Sequence, residues 1–266
     1  MKRNRWQFYT FLLVLLYFST AMCGGRLSAQ AQTSQSLLLK ALVSRDWMER
    51  ARAYEQLRSG PAALRQQKVR DALLNLLDRE NHVLESTLRE SHEQLGASAK
   101  YGEEYGQYVA ELGETVDAFA DWNDQHQVCI FVREPYDAGS QFAARIASHA
   151  NVAVSCLGDM YASDLGILRG KAAAVLARML ANSPNDDAET VTQIHQLVLE
   201  ALHDPKESVR SETVNALGKF GAQDMVPVLK QIEETDPGPE VAGHSVRGQA
   251  AKAIAAIERR AAQEPK

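Results

Sequence analysis

The sequence predicts an all-α protein, a right-handed α-solenoid of about five stacked helix pairs, on three observations. One residue frame recurs: an Arg with apolar or small residues three and four positions on and a larger apolar residue seven on. It fits Arg50 with Ala53, Tyr54 and Leu57; Arg169 with Ala172, Ala173 and Leu176; Arg210 with Thr213, Val214 and Leu217; and Arg247 with Ala250, Ala251 and Ile254. The anchors lie 119, 41 and 37 residues apart, which suits a period of roughly 40 residues, the length of a two-helix repeat. Finally, an acidic turn precedes each anchor: Asp46, Asp164, Asp204-Pro205 and Asp236-Pro237.

Taken in order, the chain opens with Lys2, Arg3 and Arg5, then the apolar run Phe11 to Phe18, then Ala29-Gln30-Ala31. A basic start, an apolar core too short to span a bilayer comfortably and an A-x-A site describe a signal peptide over residues 1–31. The alternatives are an uncleaved signal anchor and lipidation of Cys23, although Met22 is larger than the residue that normally precedes a lipid-bearing cysteine. The remainder, 32–266, reads as one domain. Leu37 to Val43 and Asp46 to Arg58 form the first pair, and Gly60-Pro61 punctuates the chain. Leu64 to Leu77 is a first helix, Asn81 a cap and His82 to Leu95 its partner, with Leu84 where the frame elsewhere has Arg, so that the polar series breaks there.

A section of different character runs over about 97–150. Tyr101, Tyr105, Tyr108, Leu112, Val116 and Phe119 share one helical face, read as a core face whose hydroxyls reach the rim. Glu103, Glu104, Glu111, Glu114, Asp117, Asp121 and Asp124 occupy the others, and no Lys or Arg stands between Lys100 and Arg133. These acids are spread along the helix, unlike the convergent acids of a calcium loop. Val128 to Arg133 is β-branched enough for a strand but isolated, so a short helix ended by Pro135 is expected. Helices follow over Asp137 to His149, Asn151 to Tyr161, and the Arg169 helix to about Ala181. After the Asn182 to Asp187 loop come Glu189 to Leu202, the Arg210 helix with Gly218 and Gly221 as its stop, Met225 to Ile232, and Ser245 to Arg260.

At these anchors the chain resembles the HEAT-repeat family, in which an Asp or Asp-Pro turn precedes a hydrophobic-Arg pair and an Ala/Leu-rich second helix. Asp204-Pro205 through Gly218 carries the closest resemblance; Asp236-Pro237 with Val246-Arg247 follows, its turn lengthened by Gly238, Pro239 and Gly243. Leu168-Arg169 and Glu49-Arg50 are looser. The resemblance implies a ladder of turn acids and arginines between repeats, with Arg50, Arg169, Asp204, Arg210 and Arg247 as its structural members. It also implies that second helices line a concave side. On these helices Arg52, Lys171, Arg178, Lys219 and Lys252 point off the apolar stripe and form a basic row for an acidic segment of a partner, with Lys171, Arg178 and Lys219 central. The acidic Tyr helix would be a second contact or a lid.

Composition narrows the partner. The chain has 29 Lys and Arg against 34 Asp and Glu; residues 1–31 hold four of the basic residues and none of the acids, leaving a mature balance of −9. That balance excludes a nucleic-acid binder, which must neutralise phosphates. The expected partner is a protein or peptide met in the periplasm or outside the cell, with membrane contact only through the leader or a lipidated Cys23. No enzymatic motif is present: His92-Glu93 lacks the second His of a zinc-protease helix, and His195 and His203 stand too far apart to chelate directly. No catalytic, metal-ligating or cofactor-binding residue, no cofactor and no small-molecule substrate is expected. A scaffold follows; the alternative is a chromophore-handling enzyme, since some bilin lyases are built of similar repeats. Cys129 and Cys156 can pair across a loop of about 27 residues in an oxidising compartment. Their apolar neighbours favour two separate buried thiols.

Overall fold

The computed structural model describes residues 33–90, 103–133, 141–182, 187–238 and 245–263. Residues 1–32, which include the expected signal segment and Cys23, and also Tyr101, Pro135, Pro239 and Gly243, lie outside them. The described elements are α1 (33–41), α2 (Trp47–Arg58), α3 (Pro61–Leu64), α4 (Gln67–Glu90), α5 (Glu103–Asp117), α6 (Gln125–Val132), α7 (Gln141–Ala147), α8 (Ala150–Tyr161), α9 (Gly166–Asn182), α10 (Ala188–Leu202), α11 (Glu207–Phe220), a short 3-10 turn (Gln223–Met225), α12 (Val226–Thr235) and α13 (Val246–Gln263). No strand occurs among the described residues, and none of their helices is long and apolar enough to cross a membrane. The protein is an all-α solenoid of HEAT-like helix pairs. Its chain divides into two compact units, one ending at Leu76 and one beginning at Leu77.

In the first unit Asp46 accepts a hydrogen bond from the Met48 N–H and starts α2, and Pro61 opens α3, the first helical position being where a missing N–H costs nothing. Ala53, Tyr54 and Leu57 bury beside Leu42, Val69 and Leu73. α4 corrects the expected break: Asn81 caps nothing and lies inside a continuous 24-residue helix. It is buried there and donates to the Ile130 carbonyl at 2.7 Å, so tertiary contact overrides the local turn preference of Asn.

In the second unit α5 buries Tyr105, Tyr108, Leu112 and Val116. Their face is a core face, but the hydroxyls do not reach the rim. Tyr105 and Tyr108 donate to the two oxygens of Glu80, at 2.7 and 3.1 Å, and Glu80 is itself fully buried. A buried carboxylate needs such donors. α6 is the expected short helix, capped by Asp124, and packs on α8. Cys129 of α6 and Cys156 of α8 are bridged, with Cα atoms 5.4 Å apart. The preference for two separate thiols is thereby overturned: apolar flanks bring α6 and α8 together, and that contact places the sulfurs within bonding reach.

From α8 onward the helices alternate regularly. α9 packs on α11 and α11 on α13 in one layer; α8 contacts α10 in the other, and each pairs with the helix that follows it. The frame positions explain the layer, since Ala172, Ala173, Leu176, Thr213, Val214, Leu217 and Ala250 are all fully buried. Gly218 is not a helix stop. It lies inside α11, where a Cβ would come within 3.2 Å of the Ala253 backbone, so glycine lets α11 and α13 approach. Gly221 does cap α11, in an extended conformation and not the left-handed one expected from glycine.

Candidate functional site

Arginine, not an enzyme-like cluster, organises the polar part of the array. Arg50 Nη1 donates to the carbonyls of Ser44 and Arg45 at 3.0 and 3.1 Å, Arg169 Nη1 to Ser163 and Asp164 at 2.9 and 3.1 Å, and Arg210 Nη1 to Asp204 and Pro205 at 2.8 and 3.3 Å. Each anchor thus closes its own turn, through carbonyls six and five residues back. The rest of the fork reaches the next repeat. Arg169 Nε and Nη2 meet the Asp204 carboxylate at 2.8 and 3.1 Å, and Arg210 meets Asp236 at 2.6 and 3.1 Å. The second rung is almost dry, with side-chain exposures of 6% and 1%. Only a planar guanidinium can satisfy carbonyls on one side and a carboxylate bidentately on the other.

Both carboxylates also accept a backbone N–H, from Lys206 at Asp204 and from Gly238 at Asp236, each at 2.8 Å. Burial pushes these carboxyls upward, but the arginine bonds and backbone donors outweigh it, and both rest below the ordinary carboxylate range. Beside them the Tyr161 phenol is pushed up to about 12, by burial first and then by the Asp204 charge. Arg247 Nε donates to the Asp236 carbonyl at 2.8 Å.

Three polar contributors escaped the sequence reading. Arg70 Nε donates to the Leu64 carbonyl, six residues back, at 2.8 Å; Val69-Arg70 with Leu73, Leu74 and Leu77 repeats the frame inside a stretch read as a first helix. Arg89 pairs with Glu85 at 2.9 Å and with Asp164. Arg260 donates to the carbonyls of Gly218 and Gly221 at 2.6 and 2.7 Å, closing the end of α11 from α13.

The basic row is only partly assembled. Arg52 is exposed in the first unit; Lys171 and Arg178 lie half-buried on α9, and Lys219 and Lys252 lie exposed on α11 and α13. Because α9, α11 and α13 stack in one layer, the last four occupy successive neighbouring helices. Arg178 is committed, its guanidinium 4.9 Å above the Phe220 ring. The intervening Ser211 donates to Gln249 at 2.7 Å, tying α11 to α13 across the same row. The acids on and after α5 are likewise partly used: Asp117 accepts from Trp122 and pairs with Arg145, and Asp124 caps α6.

Residues 167–246, which hold two complete rungs of this ladder, match the family model of HEAT repeats. No curated protein and no solved structure matches the chain.

Proposed function

We propose that this chain, a member of the HEAT-repeat family through residues 167–246, is a non-enzymatic interaction scaffold of the cell envelope. It binds an acidic protein segment along the second helices α9, α11 and α13. The observation that carries this reading is the placement of Lys171, Lys219 and Lys252 on three consecutive stacked helices, in a chain with an acidic balance. A concentrated basic row on an acidic protein steers an acidic partner and discriminates against others. The leader over 1–31 supports the envelope setting. Arg178 serves the row by holding α9 against Phe220, which makes it a poor probe of binding.

The test is anisotropy titration of a labelled Glu-rich peptide against the mature chain and against a variant with Lys171, Lys219 and Lys252 all changed to Glu. The expected outcome is at least about tenfold weaker binding at low salt, with the difference shrinking as salt rises. Equal affinity of the two proteins, or binding indifferent to salt, removes the basic row as the docking surface.

A further inference from the structure

The second unit contains a cleft of about 260 Å³ between α4, α6 and α8, and the Cys129–Cys156 bridge forms part of its wall. The two cysteines are not equivalent: Cys156 is 5% exposed, whereas Cys129 is only half-buried. Four charged groups share the lining. Arg89 and Glu85 are bound to each other at 2.9 Å, and Arg89 also holds Asp164. The other two are held less closely. The nearest carboxylate oxygen paired with Arg133 is that of Asp78, 3.9 Å away, and Asp159 is exposed and makes no ion pair among the described residues. His82 also lines the cleft and likewise stands 3.9 Å from Asp78. A disulfide therefore shares a small cleft with one loosely paired cation and one exposed anion.

We propose that this cleft is an exchange site for a small zwitterionic thiol of the amino-acid class, which forms a mixed disulfide on Cys129. Arg133 takes the carboxylate of the incoming molecule and Asp159 its ammonium group, and the two together deliver the sulfur. The thiolate attacks Cys129 Sγ, a new S–S bond forms there, the bond to Cys156 breaks, and Cys156 leaves as the thiolate. No external oxidant or reductant is consumed, since one disulfide is exchanged for another; return attack by Cys156 expels the bound thiol. Attack is directed to Cys129 because exchange rates depend on access to the sulfur as well as on the thiolate. This inference is independent of the basic row on α9, α11 and α13.

The experiment treats the full mature chain with free cysteine, cysteamine, 3-mercaptopropionate or 2-mercaptoethanol, which present both charges, the cation, the anion or neither. Acid-quenched aliquots are read by intact mass and peptide mapping, and each rate is divided by that thiol's rate with a simple open disulfide, oxidised 2-mercaptoethanol. Cysteine is expected to exceed each of the others by at least about threefold, the scale of exposed ion pairs, with the adduct on Cys129. Arg133→Gln should bring cysteine down to the level of cysteamine, and Asp159→Asn down to that of 3-mercaptopropionate, with melting curves unchanged. Equal normalised rates for the four thiols overturn the proposal, as do an adduct mapping to Cys156 and exchange that occurs only after unfolding.

Discussion

At the residue scale, the ladder depends on a fork that no shorter or rounder cation can replace. Arg210→Ala leaves the Asp236 carboxylate, 1% exposed, with its Gly238 N–H but without its bidentate partner. Removing one member of such a dry pair costs about 3 kcal/mol, and Arg210→Lys should recover less than half of it because a lysine cannot hold the Asp204 carbonyl and both carboxylate oxygens together. Urea melts of the two variants check this ordering. The same rung predicts an acid limb. Asp204 and Asp236 have folded-state pKa values depressed by their arginines, so their contribution is complete above the ordinary carboxylate range of about 4 and is lost as pH falls through the depressed values. Stability of the wild-type chain should therefore fall from about pH 5 towards pH 2, and Arg210→Ala should fall less steeply, which melts at a series of pH values will read. At buried Glu80 of α4, Tyr105→Phe removes the 2.7 Å donor from α5 and should cost about 1–3 kcal/mol.

At the element scale, close approach and open space give opposite signs to substitutions at two glycines. At Gly218 a Cβ already meets Ala253 at 3.2 Å, so Gly218→Val wedges α11 from α13 and should destabilise by about 1–3 kcal/mol. Gly106 lies in α5 with nothing within 4 Å of a Cβ, and Gly106→Ala should stabilise by about 0.5–1 kcal/mol through helix propensity alone. Thermal melts of the pair test both. The elements also show what could be read beforehand. Helices around Arg169, Arg210 and Arg247 were legible because each joins an acid turn, an Arg and a buried stripe within some twenty residues. Asn81 misled because its partner, the Ile130 carbonyl, is distant in sequence. Arg70 was missed because no acid precedes it, although its bond to the Leu64 carbonyl depends only on the spacing shared with the other anchors. The contact of Arg178 with Phe220 was not legible, because that ring lies on another helix and periodicity on one helix does not disclose contacts with the next.

At the scale of the whole molecule, the cross-link and the ladder restrain the chain differently. The Cys129–Cys156 bridge spans 27 residues, and replacing both cysteines with serine should lower stability by about 3 kcal/mol if the loss is chiefly unfolded-chain entropy; melts of the double variant against the oxidised wild type measure it. The bridge acts whether or not neighbouring helices are formed, whereas each rung requires two formed repeats. The two clasps from Arg260 to the last carbonyls of α11 add a consequence for motion. Because of them α13 cannot lift away without also uncapping α11. Amide protons at the end of α11 and along α13 should then exchange with deuterium as one cooperative block, and Arg260→Ala should split that block so that α13 exchanges ahead of α11.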